Sequence, residues 1–335
     1  MKKSLAALAL LGSVAGTAFA QTNVNIYGII DAGLVREFGS NIATPGAGSS
    51  LKLTSGVQSG SRIGFKGTED LGGGLTANFT LENGFQTDTG RIDQQGQLFG
   101  RQAWVGLAGN NWGAVNLGRQ YAPIFIALDS IDPFGTGLAG TSTNLFGTVV
   151  RMNNTVKYST PNISGLTADL AYGLGEVAGS TSASRQIGLS ATYANGPIYG
   201  TFAHQNINDA TNTNKTKLTL LGGMYDLGVV KAHLAYETEK NDTVLDQRDW
   251  LLGVSAPLGA GTVMASYMHK DDKAAANRDA NQLALGYSHA LSKRTNLYTS
   301  IARIDNKNGA QYTVGNATEG GTTDKAFNVG IRHKF

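Results

Sequence analysis

Phe327-Asn328-Val329-Gly330-Ile331-Arg332-His333-Lys334-Phe335 is the stretch that decides the fold. Phe327, Val329, Ile331 and Phe335 share one parity, and Asn328, Gly330, Arg332 and Lys334 share the other. Alternate side chains of a strand point to opposite faces, so this segment has one apolar face and one polar, cationic face. A soluble sheet rarely ends on such a strand. A membrane barrel accommodates it: lipid meets the apolar face, a wet lumen meets the polar face, and the final aromatic sits at the interface. His333 alone breaks the apolar parity, at a depth where a polar ring costs little.

The other end gives the address. Lys2 and Lys3 precede an apolar run from Leu5 to Val14, and Ala18-Phe19-Ala20 is a small-x-small cleavage site. Residues 1–20 therefore read as a secretory signal peptide, too short for a permanent span, and residues 21–335 as one outer-membrane barrel. The chain has a formal charge of +3. The leader holds two lysines and no acid, so the remainder is near neutral and nothing directs it to nucleic acid. Cysteine is absent, so no disulfide staples the exported chain. Forty-five glycines and six prolines fit many strands joined by tight turns. No later run is long and apolar enough for a transmembrane helix. Lipid offers no partner to an open sheet edge, so only a closed barrel satisfies both ends of the chain.

Between the ends, tight turns alternate with longer polar tracts. The turns are Asp70–Gly74, Gly109–Asn111, Asn162–Gly165, Asn195–Pro197, Asp226–Gly228, Leu258–Gly261 and Leu291–Lys293. The tracts are Ile42–Ser50, Val177–Ser184, Asn206–Lys215, Glu239–Asp246, Lys270–Arg278 and Asp305–Asp324. Periplasmic turns and external loops alternate in this way in outer-membrane barrels. Leu75, Ala77, Phe79 and Leu81 oppose Thr76, Asn78, Thr80 and Glu82, and Leu283, Leu285 and Tyr287 oppose Gln282, Ala284 and Gly286. The segments Lys217–Gly222 and Thr262–His269 alternate less cleanly. About sixteen such segments predict an all-β, transmembrane antiparallel barrel of about 16 strands, each spanning roughly 24 Å when tilted. Tyr27, Tyr121, Tyr158, Tyr172, Tyr193, Tyr225, Tyr236 and Tyr298 fall near segment ends, as interfacial girdles require. They are also simply good strand formers.

One loop departs from the pattern. The stretch between Tyr121 and Val149 carries Ile124, Phe125, Ile126, Leu128, Ile131 and Phe134. So apolar a loop should not lie in water; it should pack on the inner wall.

Enzymatic readings fail. His204, His233, His269, His289 and His333 have no metal-ligand spacing, there is no thiol, and no Gly-x-Ser-x-Gly elbow occurs. Gly72-Gly73-Gly74 lies between strands and is not a phosphate loop. No catalytic residue, metal site or cofactor is expected. Arg62, Arg101 and Arg151 are single arginines embedded in strand text. On the lipid face each would cost roughly 2–4 kcal/mol, so they should project into the lumen. Facing Asp129 and Asp132, they would set a transverse field that sorts ions. Each arginine could equally pair with a nearby carboxylate and only brace the wall.

The blocks SGSRIGFKGTEDLGGGLTANFTLENGF (59–85), FGRQAWVGLAGNNWGAVNLGRQY (99–121) and the terminal FNVGIRHKF resemble the general diffusion porins of Gram-negative outer membranes, and among them the betaproteobacterial trimeric porins. The resemblance covers essentially the whole of residues 21–335. It implies a 16-stranded barrel, a homotrimer, and a third external loop folded inward as an eyelet. It also implies a pore constriction in which Arg62, Arg101 and Arg151 match a ladder of wall arginines. Glu82 matches a wall acid, Arg119 another basic wall position, and Asp129 and Asp132 the acidic loop tip. Relatives often carry Pro-Glu-Phe-Gly at that tip; here Pro133 takes the Glu position and Asp132 precedes it. The implied function is passive diffusion of small hydrophilic solutes and ions with a modest anion preference. The partners are those solutes, outer-membrane lipid and lipopolysaccharide. The alternative reading is a surface-exposed barrel acting as adhesin or receptor with an occluded lumen.

Overall fold

The computed structural model describes residues 23–38, 50–314 and 323–335; the expected signal peptide lies outside the described residues. Seventeen strands form one sheet. They are β1 (Asn23–Glu37), β2 (Ser50–Ser55), β3 (Arg62–Gly72), β4 (Leu75–Gly84), β5 (Gln102–Gly109) and β6 (Gly113–Tyr121). After these come a helix α1 (Pro123–Ile131), β7 (Arg151–Ser159), β8 (Leu166–Gly173), β9 (Gln186–Asn195), β10 (Ile198–Asn208) and β11 (Lys215–Asp226). The rest are β12 (Lys231–Asn241), β13 (Asp246–Leu258), β14 (Gly261–Asp272), β15 (Ala280–Ala290), β16 (Thr295–Asn306) and β17 (Thr323–Lys334).

Apart from β2 and β3, neighbours in sequence pair antiparallel, and β17 returns to β1. Phe335 and Gly28 exchange backbone hydrogen bonds of 3.1 and 3.2 Å across that seam. The terminal aromatic ring lies over Gly28, where a Cβ would fall 2.2 Å from a ring carbon. Strands β2 and β3 pair with the two halves of β1, Ser50–Ser55 against Ala32–Glu37 and Arg62–Thr68 against Asn23–Ile29. They are one stave interrupted at residues 56–61, so seventeen strands make a closed barrel of sixteen staves.

The outer wall is apolar and open: Leu34, Leu107, Leu221, Leu252, Leu285 and Val329 all project from it. His333 also lies on it, its Nδ1 2.8 Å from the Thr295 hydroxyl. Tyr158, Tyr172, Tyr193 and Tyr225 join this face, and the Tyr236 ring packs tilted against Trp250, with centroids 4.3 Å apart. The girdle expectation fails for three tyrosines. Tyr27, Tyr121 and Tyr298 turn inward because a lumenal partner is waiting for each hydroxyl: Glu82, Arg101 and Asp31, respectively.

The two weakly alternating segments are explained by what packs inside them. Leu218 and Leu220 of β11 face inward and are buried, while Leu221 meets lipid. Met264 and Met268 of β14 also point inward. Their partner is the loop 122–150, third of the long connections along the chain. Its helix α1 begins with Pro123, whose fixed φ suits a first helical turn. Ile124, Ala127, Leu128 and Ile131 recur at helical spacing and are all buried against the inner faces of β8 to β12.

Glycines on the inner parity make room for the loop. A Cβ at Gly222 would lie 2.2 Å from Ile131 Cδ1, and one at Gly253 would lie 2.7 Å from Pro133. Further on, the Ala139 amide donates to Ser300 Oγ at 3.0 Å, and Asn144 Nδ2 to Gln282 Oε1 at 2.6 Å. At the tip, the Leu138 amide donates to the Val57 carbonyl at 2.7 Å. The broken stave thus turns its gap inward to hold the end of the loop.

Candidate functional site

The loop narrows the lumen against the wall formed by β3, the β5 and β7 starts, and β17. The space left is about 640 Å³. Arg62, Arg101, Arg151, Arg332 and Lys334 line one side; Phe125, Ile126, Asp129, Gly135 and Thr136 line the other.

Each cation is placed by a local device. Arg62 opens β3 with inward parity, and its Nε donates to the Gly60 carbonyl at 2.8 Å within the stave break. Arg101 and Arg151 stand where strand parity lapses. Arg101 occupies a bend just before β5, and Arg151 starts β7 beside a register shift between Gly118 and Gln120. Tyr121 gathers both. Its hydroxyl accepts from Arg101 Nη2 at 2.5 Å and Arg151 Nη2 at 3.4 Å, and the Arg151 guanidinium lies 4.9 Å from its ring. Phe125 of α1 stacks on the same ring at 5.4 Å, so the helix and the arginines share a support.

Arg101 Nε also donates to Glu82 Oε1 at 2.9 Å, and Tyr27 gives its hydroxyl proton to Glu82 Oε2 at 2.9 Å. Glu82 is 3% exposed and does not line the opening, so its charge is spent on Arg101. Arg332 donates to Asn296 Oδ1 and Ser59 Oγ, each at 3.0 Å. Ser59 is in turn fixed by Asp31, whose Oδ2 accepts the Ser59 and Gln58 amides at 2.9 and 3.2 Å. Among the described residues, Arg101 is the one lining cation with a carboxylate in ion-pair contact. The excess of positive charge over acid is therefore not cancelled locally.

Besides Glu82, two further expected constriction residues, Asp132 and Arg119, do not line the opening. Asp132 is buried in the loop's own turn. Its oxygens accept the amides of Phe134 at 2.9 Å, Thr136 at 3.1 Å and Ser142 at 2.8 Å. Burial pushes this carboxyl up from its ordinary range, and the amide donors pull it part of the way back. It shapes the loop and leaves Asp129 as the acid at the opening, where Asp129 accepts from the Thr136 hydroxyl. Arg119 sits on the lipid-side parity opposite Ala103; its guanidinium is held by the Gly100 carbonyl at 2.7 Å and by Asn153. The register shift after Gly118 separates it from the lumenal residues that follow.

Sequence reasoning missed Arg332 and Lys334 as lining cations, although their inward parity was visible in the terminal strand. It also missed the wall segment Gln58–Gly60, which reads as an ordinary loop.

A closed barrel with a charged aperture set by an inward loop is the build of an outer-membrane diffusion channel. A model of the Gram-negative porin family matches residues 4–309. Outer membrane porin protein 32 of Delftia acidovorans is 36% identical, and an outer membrane porin protein of Bordetella pertussis is 33% identical, each over the whole of both chains. The solved structure of an anion-selective porin from Comamonas acidovorans superposes with a TM-score of 0.82. It is 32% identical, and the match covers 94% of this chain and 100% of that one. The chain belongs to the Gram-negative porin family. It is an outer-membrane channel for passive diffusion of small hydrophilic solutes, which decides against an occluded adhesin or receptor.

Proposed function

We propose that the channel prefers anions, with Arg62, Arg101 and Arg151 as the wall charges and Asp129 as the facing acid. Arg332 and Lys334 add to the same field. The observation that carries this reading is the imbalance at the aperture: five cations line it, and one has an ion-pair partner. Positive charge set in a narrow aqueous passage between low-dielectric walls concentrates anions and repels cations. The anion selectivity named for the Comamonas relative supports the same direction. Reversal potential across a salt gradient in planar bilayers tests it: the zero-current voltage should take the sign of anion preference, and the opposite sign overturns the proposal.

Around the channel we place the family's usual setting. Residues 1–20 are removed on export, three copies associate, and the apolar outer wall meets outer-membrane lipid and lipopolysaccharide. The solutes themselves pass without chemical change, and no residue is assigned a catalytic role.

A further inference from the structure

Residues 56–61, which break the stave between β2 and β3, wrap around one buried side chain. β1 pairs with Ser55 at Ala32 and with Arg62 at Ile29, so residues 56–61 stand opposite only Ile30 and Asp31. The surplus chain curls into the lumen as a strap, and its amides lose their ladder partners. Asp31 replaces them. Its carbonyl accepts the Gly56 amide at 2.9 Å and the Ser61 hydroxyl at 3.1 Å. Its carboxylate Oδ2 accepts the Gln58 and Ser59 amides at 3.2 and 2.9 Å. Oδ1 accepts the Tyr298 hydroxyl at 2.6 Å, which ties the carboxylate to β16. Asp31 itself is fully buried and lines no part of the opening.

The strap in turn carries both sides of the aperture. Ser59 Oγ accepts from Arg332 Nη1 at 3.0 Å. Gln58 Oε1 accepts from Asn296 Nδ2 at 2.8 Å, and Asn296 Oδ1 accepts from Arg332 Nε at 3.0 Å. Two routes from the Arg332 guanidinium thus lead back to Asp31. The Gly60 carbonyl accepts from Arg62 Nε at 2.8 Å. Across the opening, the Val57 carbonyl holds the Leu138 amide of the loop tip at 2.7 Å. Gly137 lies against the Gln58 carbonyl, where a Cβ would fall 2.2 Å from the oxygen. Two wall cations and the loop tip therefore rest on one short segment, and that segment rests on Asp31.

We propose that Asp31 is a positioning residue for selectivity: an acid outside the water path that maintains anion preference by fixing the strap under Arg332, Arg62 and the loop tip. The proposal deepens the reading of the channel as anion-preferring and rests on it. Counting charges gives the opposite sign, because an acid near the aperture weakens its positive field and its removal should strengthen anion preference. Asp31→Asn keeps the size of the side chain but leaves one accepting oxygen where Asp31 uses two. The strap loosens, the loop tip withdraws, and Arg332 and Arg62 move with it. The passage widens while its cations recede.

The test is made on the full-length channel in planar bilayers, by single-channel conductance and by reversal potential at 0.1 M salt. D31N should conduct more than wild type, with the anion-to-cation permeability ratio lowered about fivefold, the weight of one unit charge about 5 Å from a passing ion. In D31N/R332Q the ratio should stay at or below that of R332Q, because Arg332 is a charge that D31N displaces; independent charges would offset and return the double variant toward wild type. S59A changes no charge and keeps the amide bond to Asp31. It should lower the ratio about twofold, as for a charge that recedes by about 2 Å, and S59T should restore it. Neither variant alters the backbone bonds of the strap, so this pair decides the matter if D31N does not fold. A raised ratio or unchanged conductance in D31N overturns the proposal, as does a double variant near wild type or an S59A ratio equal to wild type. A wild-type channel that prefers cations sinks the anion reading instead, and the D31N conductance still tests the positioning role.

Discussion

Arg151→Gln isolates the electrostatics of the aperture. Arg151 lines the opening and leans on the Tyr121 ring, but it pairs with no carboxylate, so its removal strands no buried charge. A round space of the observed 640 Å³ has a radius of about 5 Å, which sets the approach of a passing ion. In water-like dielectric, one charge at that range is worth about 0.8 kcal/mol. Screening at 0.1 M salt reduces this to roughly 0.5 kcal/mol. The anion loses that attraction and the cation loses an equal repulsion, so the permeability ratio changes by about 1 kcal/mol, roughly fivefold. At 1 M salt the Debye length falls to about 3 Å, and the same change shrinks to less than about twofold. Reversal potentials of wild type and R151Q, each measured at both salt concentrations, check the reasoning. An unchanged ratio at 0.1 M would refute it. A change of equal size at both concentrations would also refute it, because that pattern belongs to altered shape.

Arg101 should behave differently. R101Q leaves Glu82 charged and buried, and losing one partner of such a pair costs roughly 3–5 kcal/mol. Its thermal unfolding in detergent should start well below wild type, and E82Q/R101Q should recover most of the loss; no difference between them would mean the pair does not hold the wall. At Gly222, valine would drive a Cβ into Ile131 and lift α1 from β11, at about 1–3 kcal/mol. Single-channel records of G222V should show added current noise and a shifted conductance, and a quiet wild-type-like trace would refute the docking role. Asp132 gives a pH test. Its carboxyl is raised in the folded loop, so protonation favours the folded form, and this contribution is present at acid pH and lost as pH rises through the raised value. Acidification from about pH 7 to about pH 4 should therefore not loosen the loop through Asp132. Acid-induced noise that appears in wild type and is absent in D132N would contradict this.

Period-two alternation made the barrel legible from the chain alone. It requires only that lipid and water reject each other's side chains, a condition every membrane strand meets by itself. Tight turns set against polar tracts gave the number of staves, and the apolar composition of residues 122–150 announced a loop that must pack inward. Glycines at inner-parity strand centres, such as Gly222 and Gly253, carried a further signal of close approach that marks where the loop lies.

The aperture was decided by tertiary structure. Parity says that Arg332 faces the lumen but not at what height, because height depends on strand tilt and stagger around the closed ring. Parity fails at Arg101 and Arg151, which a bend and a register shift re-aim onto Tyr121. It also could not separate Asp129, beside the opening, from Asp132, three residues on and enclosed by its own loop's amides. Alternation is a local rule obeyed residue by residue. A charge constellation joins groups from distant staves, so its shape exists only once the sheet has closed and the loop has come to rest inside it.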